Sequence, residues 1–211
     1  VIGWPVDGAA LTTGSSDEVA PAVCSDSTGR LTLVWRTESP AGVGLRTTQL
    51  GPGYTPAPGA VPAAHVLAEG EAGVGDASVL SAEAGTTFVA WTSLPVGGSA
   101  AGAGLHLQRL AGDGAPDPAW PAGGARVCAS ALGRGAPRVV AQADSGVIVA
   151  WEDYRNGSSD IFAQRIDATP SPVFVLDQLN SGVVCAGGLT EITAETTPHS
   201  VLRRTHAVAQ C

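Results

Sequence analysis

The chain repeats itself, and that repetition limits its architecture more than any single motif does. Three segments share one plan: PAVCSDSTGRLTLVW (21–35), ASVLSAEAGTTFVAW (77–91) and PRVVAQADSGVIVAW (137–151). Each runs from an extended opening through a turn containing Gly to an alternating run that ends on Trp. Trp35, Trp91 and Trp151 are therefore spaced by 56 and 60 residues. A second alternating run with a Gln follows each: LRTTQL (45–50), LHLQRL (105–110) and IFAQRI (161–166). The linking pieces repeat as well, since WPVDGAALTT (4–13) matches WPAGGARVCA (120–129), two periods apart. The repeats are framed as 21–76, 77–136 and 137–197, with partial copies at 1–20 and 198–211.

Each copy reads as four short strands. In the third they are expected at Arg138–Gln142, Val147–Trp151, Ile161–Ile166 and near Val173–Leu176 or Gly182–Ala186. Val147, Val149 and Trp151 share one face at period two, and Ile148 and Ala150 share the other. Both faces are apolar, so the sheet must be covered on both sides. Long helices do not fit, because β-branched runs are broken every eight to twelve residues among 28 Gly and 15 Pro. Four-stranded sheets stacked face to face around an axis satisfy these demands, and that arrangement is an all-β propeller. Three full blades plus a split or partial blade are expected. The split copy either closes a four-bladed ring, with 198–211 pairing beside 1–13, or belongs to a slice of a larger propeller. The slice is favoured, because Cys211 ends the last copy ahead of its Trp. Such a slice would self-associate through an open blade edge.

Charge excludes several function classes. The net charge is −8, and the eleven basic residues are all Arg. Only Arg203 and Arg204 are adjacent, so no basic stripe exists to displace counterions from nucleic acid. An anionic membrane surface is disfavoured for the same reason. No run approaches the length of a membrane-spanning helix, so membrane insertion is not expected.

The third copy is the sharpest. WEDYRNGSSDIFAQRI (151–166) resembles the repeat of extracellular bacterial β-propeller proteins, Trp-x-Asp-x-Arg-x-Gly-x-x-Asp-Ile-aromatic-x-Gln. The match is carried by Trp151, Asp153, Arg155, Gly157, Asp160, Ile161, Phe162 and Gln164. Trp4-Pro5 and Trp120-Pro121 match the linking element. The resemblance implies a propeller fold and a secreted or cell-surface bacterial setting, and no particular reaction.

Residue by residue, the structural reading prevails. Asn156-Gly157 suits a hairpin turn with positive φ. Asp153 and Asp160 flank it, placed to accept from turn N–H groups or to pair with Arg155. Copies one and two lack this set, so it pins a turn and is not a catalytic constellation. Burying a Trp removes about 150–250 Å² from water, worth at most roughly 4–6 kcal/mol. Trp35, Trp91 and Trp151 are therefore expected between blades. Trp4 and Trp120, in the linking segments, are the candidates for stacking on a ligand.

No cofactor, metal or catalytic residue is nominated. The chain lacks a C-x-x-C pair, and its four His form no short-spaced ligand pair. Equivalent cysteines Cys128 and Cys185 should lie beyond disulfide reach, whereas Cys24 and Cys211 could pair if a ring closed. A Gly-Gly-Ser piece at 97–99 sits out of register for a nucleophile elbow. Ala111–Asp117 lacks the alternating oxygens of a calcium loop. Ser25–Gly29 approaches a sialidase-type turn, with its Gly one place late. The leading expectation is a non-catalytic module that binds protein or glycan, or serves as a spacer. The alternative is a glycoside hydrolase or lyase with an axial carboxylate site.

Overall fold

In this computed structural model, residues 4–54, 61–71, 73–82, 85–94, 104–128, 137–142, 146–154 and 157–167 are described. Every regular element among them is a β-strand, and all strand pairs are antiparallel. No helix among the described residues is long and apolar enough to cross a membrane. Sheet I joins β1 (Asp17–Ser25), β2 (Leu31–Ser39), β3 (Gly42–Leu50) and β4 (His65–Glu71) in chain order. Sheet II joins β5 (Gly73–Val74), β6 (Ser78–Ser81), β7 (Thr87–Leu94), β8 (Gly104–Leu110) and β9 (Ala125–Cys128). Sheet III joins β10 (Arg138–Ala141), β11 (Val147–Asp153) and β12 (Asp160–Ile166). The fourth strand expected at 173–176 or 182–186 falls outside the described residues.

One register recurs in all three sheets. The residue before each Trp faces the first strand at an equivalent place: Ala22↔Val34, Ser78↔Ala90 and Arg138↔Ala150. The Trp itself pairs with the third strand, as Trp35↔Arg46, Trp91↔His106 and Trp151↔Phe162. Sheets I and II begin four residues ahead of the repeat frame, at Asp17 and Gly73 instead of 21 and 77.

The extra residues come from a first strand broken in two. In β1 the register shifts between Val19 and Ala22, around Ala20 (φ 51°) and Pro21. Proline has no N–H to donate, so the ladder cannot run through it. In sheet II the same break separates β5, which pairs with Ser93 and Leu94, from β6, which pairs with Thr87 to Ala90. The two pieces occupy one strand position, so sheet II is four strands wide.

Alternation along the second strands decides the packing. From β7, Val89 and Trp91 turn toward sheet I, where they join Val34, Leu45 and Leu67 in one apolar cluster. Phe88 and Ala90 turn the other way. They join Leu105, Leu107, Trp120 and Val127 of sheet II with Val147, Val149, Trp151 and Ile166 from sheet III. Sheet II is thus covered on both faces, which explains why Phe88, Val89 and Ala90 are all fully buried in consecutive positions. The rule is that the Trp face of one sheet meets the opposite face of the sheet before it.

Candidate functional site

Two kinds of side chain could carry function: exposed aromatics, and polar groups at the strand ends. The aromatics separate cleanly. Trp35, Trp91 and Trp151 are 7 %, 1 % and 8 % exposed. Trp91 lies between sheets I and II and Trp151 between sheets II and III, while Trp35 belongs to neither shared cluster. The Trp91 site also requires Gly124, where a Cβ would stand 2.7 Å from the indole Cη2.

Trp120 must be corrected as a stacking candidate. It is 5 % exposed, edge-on to Phe88 at 5.8 Å, with the Arg109 guanidinium 5.9 Å above its ring. The cause is the turn before it. Asp117 accepts from the Ala119 N–H at 2.8 Å and from Arg109 Nε at 2.7 Å, and the Trp120 N–H closes on Asp117 O. That turn drops the ring into the core. The same bonds, the Ala119 N–H first and then Arg109, hold the Asp117 carboxyl below its ordinary pKa.

Trp4, in the matching Trp-Pro pair, stays exposed at 37 %. A turn from Pro5 O to Gly8 N–H closes just after it. Its ring meets Tyr54 nearly edge-on, with centroids 6.1 Å apart and planes at 65°. Tyr54 is positioned by its own turn, through the Tyr54 N–H to Gly51 O. Val6 and Val61 are also exposed. An indole held by a second ring offers a flat apolar face with little freedom to lose on binding, suited to the CH face of a sugar or to an apolar side chain.

Of the two acids that flank the turn in the third copy, one has partners beyond it. Asp153 is fully buried and does not serve the hairpin turn alone: it accepts from Trp151 Nε1 at 3.2 Å and from Cys128 Sγ at 3.9 Å. It therefore ties sheet III to β9 of sheet II. Asp160 stands directly opposite it in the β11–β12 register. Burying a carboxyl is costly unless it is hydrogen-bonded, so the donors on Asp153 are a condition of its burial. Gly157 does hold the turn, with φ 88° and its N–H on Tyr154 O. Arg155 lies outside the described residues, and with it the expected pairing to these acids.

Two residues past each Trp stand Thr37, Ser93 and Asp153, a polar set that local motif reading misses. Ser93 is 3 % exposed, with Oγ 3.1 Å from His106 Nε2, and the imidazole stacks on Trp91 at 5.6 Å. A hydroxyl beside an imidazole has the makings of a nucleophile and base. Here the hydroxyl is shut inside the fold, which suits a structural bond. The Gln landmarks also diverge. Gln108 is buried and reaches Pro121 O, whereas Gln164 is exposed and donates to the adjacent Arg165 O at 2.9 Å. Gln49 sits one register place later, opposite Thr32 where Gln108 and Gln164 face Val89 and Val149. One place in a strand reverses the face.

At the other strand ends, Asp26 organises the turn between β1 and β2. Its Oδ1 accepts from Thr28 Oγ1 at 2.6 Å and from the N–H groups of Thr28 and Arg30. The Thr28 hydroxyl, more than the N–H groups, keeps the Asp26 carboxyl below its ordinary pKa. Burial, helped by the Asp26 charge, pushes the Cys24 thiol up to about 11. Cys24 and Cys128 are free thiols, and Cys185 and Cys211 lie outside the described residues. No group of three or more His, Cys, Asp or Glu able to hold a metal occurs among the described residues.

No family model and no curated protein sequence matches the chain. Among solved structures it is similar to the endo-arabinase from Bacteroides thetaiotaomicron. That match has 15 % sequence identity and a TM-score of 0.42, over 94 % of this chain and 76 % of that one.

Proposed function

We propose that the chain is a non-catalytic β-propeller module of a secreted or cell-surface bacterial protein, with sheets I to III as three of its blades. The recurrent register and the covering of sheet II on both faces support the blade reading. Its task is to bind a glycan or protein ligand through the aromatic surface at Trp4 and Tyr54. The observation that carries this is the contrast among tryptophans. Four of the five are packed away, and Trp4 alone stands exposed against a second ring. Asp26 and Asp117 are engaged in turns, and Ser93 and Asp153 in bonds inside the fold.

The test is a panel of oligosaccharides and surface proteins, read by titration calorimetry and Trp fluorescence. The expected result is saturable binding that Trp4→Ala abolishes while leaving the thermal unfolding midpoint in place. Uniform silence across the panel would leave the spacer role. Binding indifferent to Trp4→Ala would move the site elsewhere.

A further inference from the structure

The turn between β1 and β2 and the turn that carries Tyr54 lie side by side. Leu31, the first residue of β2, pairs with Leu50, the last of β3, so Asp26–Arg30 and Gly51–Tyr54 stand at the same end of sheet I. They also touch. Gly29, at φ 82°, faces Pro52 so closely that a Cβ on it would stand 3.7 Å from the proline Cβ. Tyr54 follows two residues later, its N–H on Gly51 O at 3.0 Å, and its ring meets Trp4.

The repeat shows what is particular to this pair of turns. The first turn of every sheet closes by one backbone bond: Asp26 N–H to Arg30 O, Ala82 N–H to Thr86 O and Gln142 N–H to Gly146 O. That first position holds an acid in sheet I alone, so closing the turn does not require a carboxylate. The turns after β3 and β8 match as well, Tyr54 N–H to Gly51 O and Gly114 N–H to Ala111 O, and of these two only the first bears a ring. Asp26 adds three bonds to its turn. Its Oδ1 accepts from Thr28 Oγ1 at 2.6 Å, from the Thr28 N–H at 2.8 Å and from the Arg30 N–H at 3.0 Å. The extra bonds stiffen the one turn against which the Tyr54 turn rests.

We infer that Asp26 is a positioning residue for the aromatic surface: its bonds fix Gly29 against Pro52, and so hold the Tyr54 ring at the angle that supports Trp4. The inference rests on the ligand reading above and deepens it, adding to the two rings a residue that acts through the turn between them and sheet I. Rings already held give up little freedom on binding. A loosened pair must be ordered by the ligand, which weakens binding about two- to tenfold.

Acrylamide quenching of Trp4 fluorescence in the full chain tests this without any ligand. Subtracting the signal of each chain's Trp4→Phe counterpart isolates Trp4 among the five tryptophans. In Asp26→Ala the Trp4 quenching constant is expected to rise to the value that Tyr54→Ala gives, while the other tryptophans keep theirs. Asp26→Asn retains an acceptor and should restore most of the original value. Thr28→Ala removes the shortest of the three bonds from an exposed side chain. It should shift the Trp4 constant the same way by less, and it replaces Asp26→Ala should that variant not fold. An unchanged Trp4 constant in the folded variant overturns the inference, and so does a rise shared by all the tryptophans, the mark of general loosening. An oligosaccharide whose binding Trp4→Ala abolishes and Asp26→Ala leaves at full strength sinks this inference alone. Silence of every oligosaccharide and protein tested sinks the ligand reading, and the Trp4 constant still decides whether Asp26 places the rings.

Discussion

The two inner interfaces obey the same register yet are held by different means. Between sheets II and III the contact is rich in large rings: Phe88, Trp120 and Trp151 meet Leu105, Leu107 and Ile166, and Phe162 stacks on Trp151 at 6.2 Å. One buried carboxylate, Asp153, serves it. Between sheets I and II the core has Trp91 as its one large ring among aliphatic residues, and arginines brace it from both ends. Arg36 crosses from β2 to Val74 O at 3.2 Å and Asp76 at 3.0 Å. Arg30 reaches Gly112 O at 2.5 Å from the far turn. The difference teaches that the repeat prescribes a register and a burial pattern, while the polar fastening is left to each pair of sheets.

The largest expected effect breaks the ring-rich interface. Trp151→Ala should cost about 3–5 kcal/mol, as large-to-small core changes do, measured by urea unfolding. A loss below about 1 kcal/mol would show that the rings are not what joins sheets II and III. Next comes Asp153→Ala, which strands the indole N–H of Trp151 and should cost about 1–3 kcal/mol. Asp153→Asn keeps an acceptor there and should recover much of that loss, separating hydrogen bonding from charge. Arg36→Ala should cost less than about 1 kcal/mol, with an effect that shrinks in high salt, because its partners Glu38 and Asp76 are exposed. Were Arg36→Ala to match Trp151→Ala, the contrast between the interfaces would be gone.

The smallest effects are in the pH response of the turn between β1 and β2. The folded pKa of Asp26 lies below its unfolded value, so its contribution is present above the ordinary carboxylate range and disappears as pH falls through the lower folded value. Cys24 behaves in the opposite sense. Its pKa is raised from 9.0 to about 11, so stability is retained below pH 9 and lost as pH climbs toward 11. At pH 8 the Cys24 thiol should therefore react with iodoacetamide much more slowly than a free cysteine, a difference that mass spectrometry of quenched samples reads directly. Rapid labelling would show that the turn does not shield it.

What the sequence discloses depends on how local the determinant is. Period-two alternation from Val147 to Trp151 placed β11, because the pattern and the burial are the same fact. Gly157 is legible as a turn residue because its positive φ is a local demand, while Asn156 lies outside the described residues. Trp4-Pro5 and Trp120-Pro121 look alike over ten residues, so the sequence offers both rings equally for stacking. The turn at Asp117, held by the Ala119 N–H and by Arg109, carries the Trp120 ring inward. Asp153 was assigned to its own turn because its further partner, Cys128, comes from another sheet. The break in β1 was hidden because Pro21 reads as the start of a strand when it is the middle of one.

That break has an effect beyond its own ladder. Among the described strands β1 is the outermost of its sheet, and the row of N–H and C=O groups along it is interrupted at Ala20 and Pro21. β5 and β6 are interrupted at the equivalent place, and Pro137 stands immediately before β10. An extended segment from a neighbouring or misfolded chain can zip only a few residues before losing register. In a protein so rich in alternating apolar runs, this kink shortens the straight backbone row that amyloid-like growth would need.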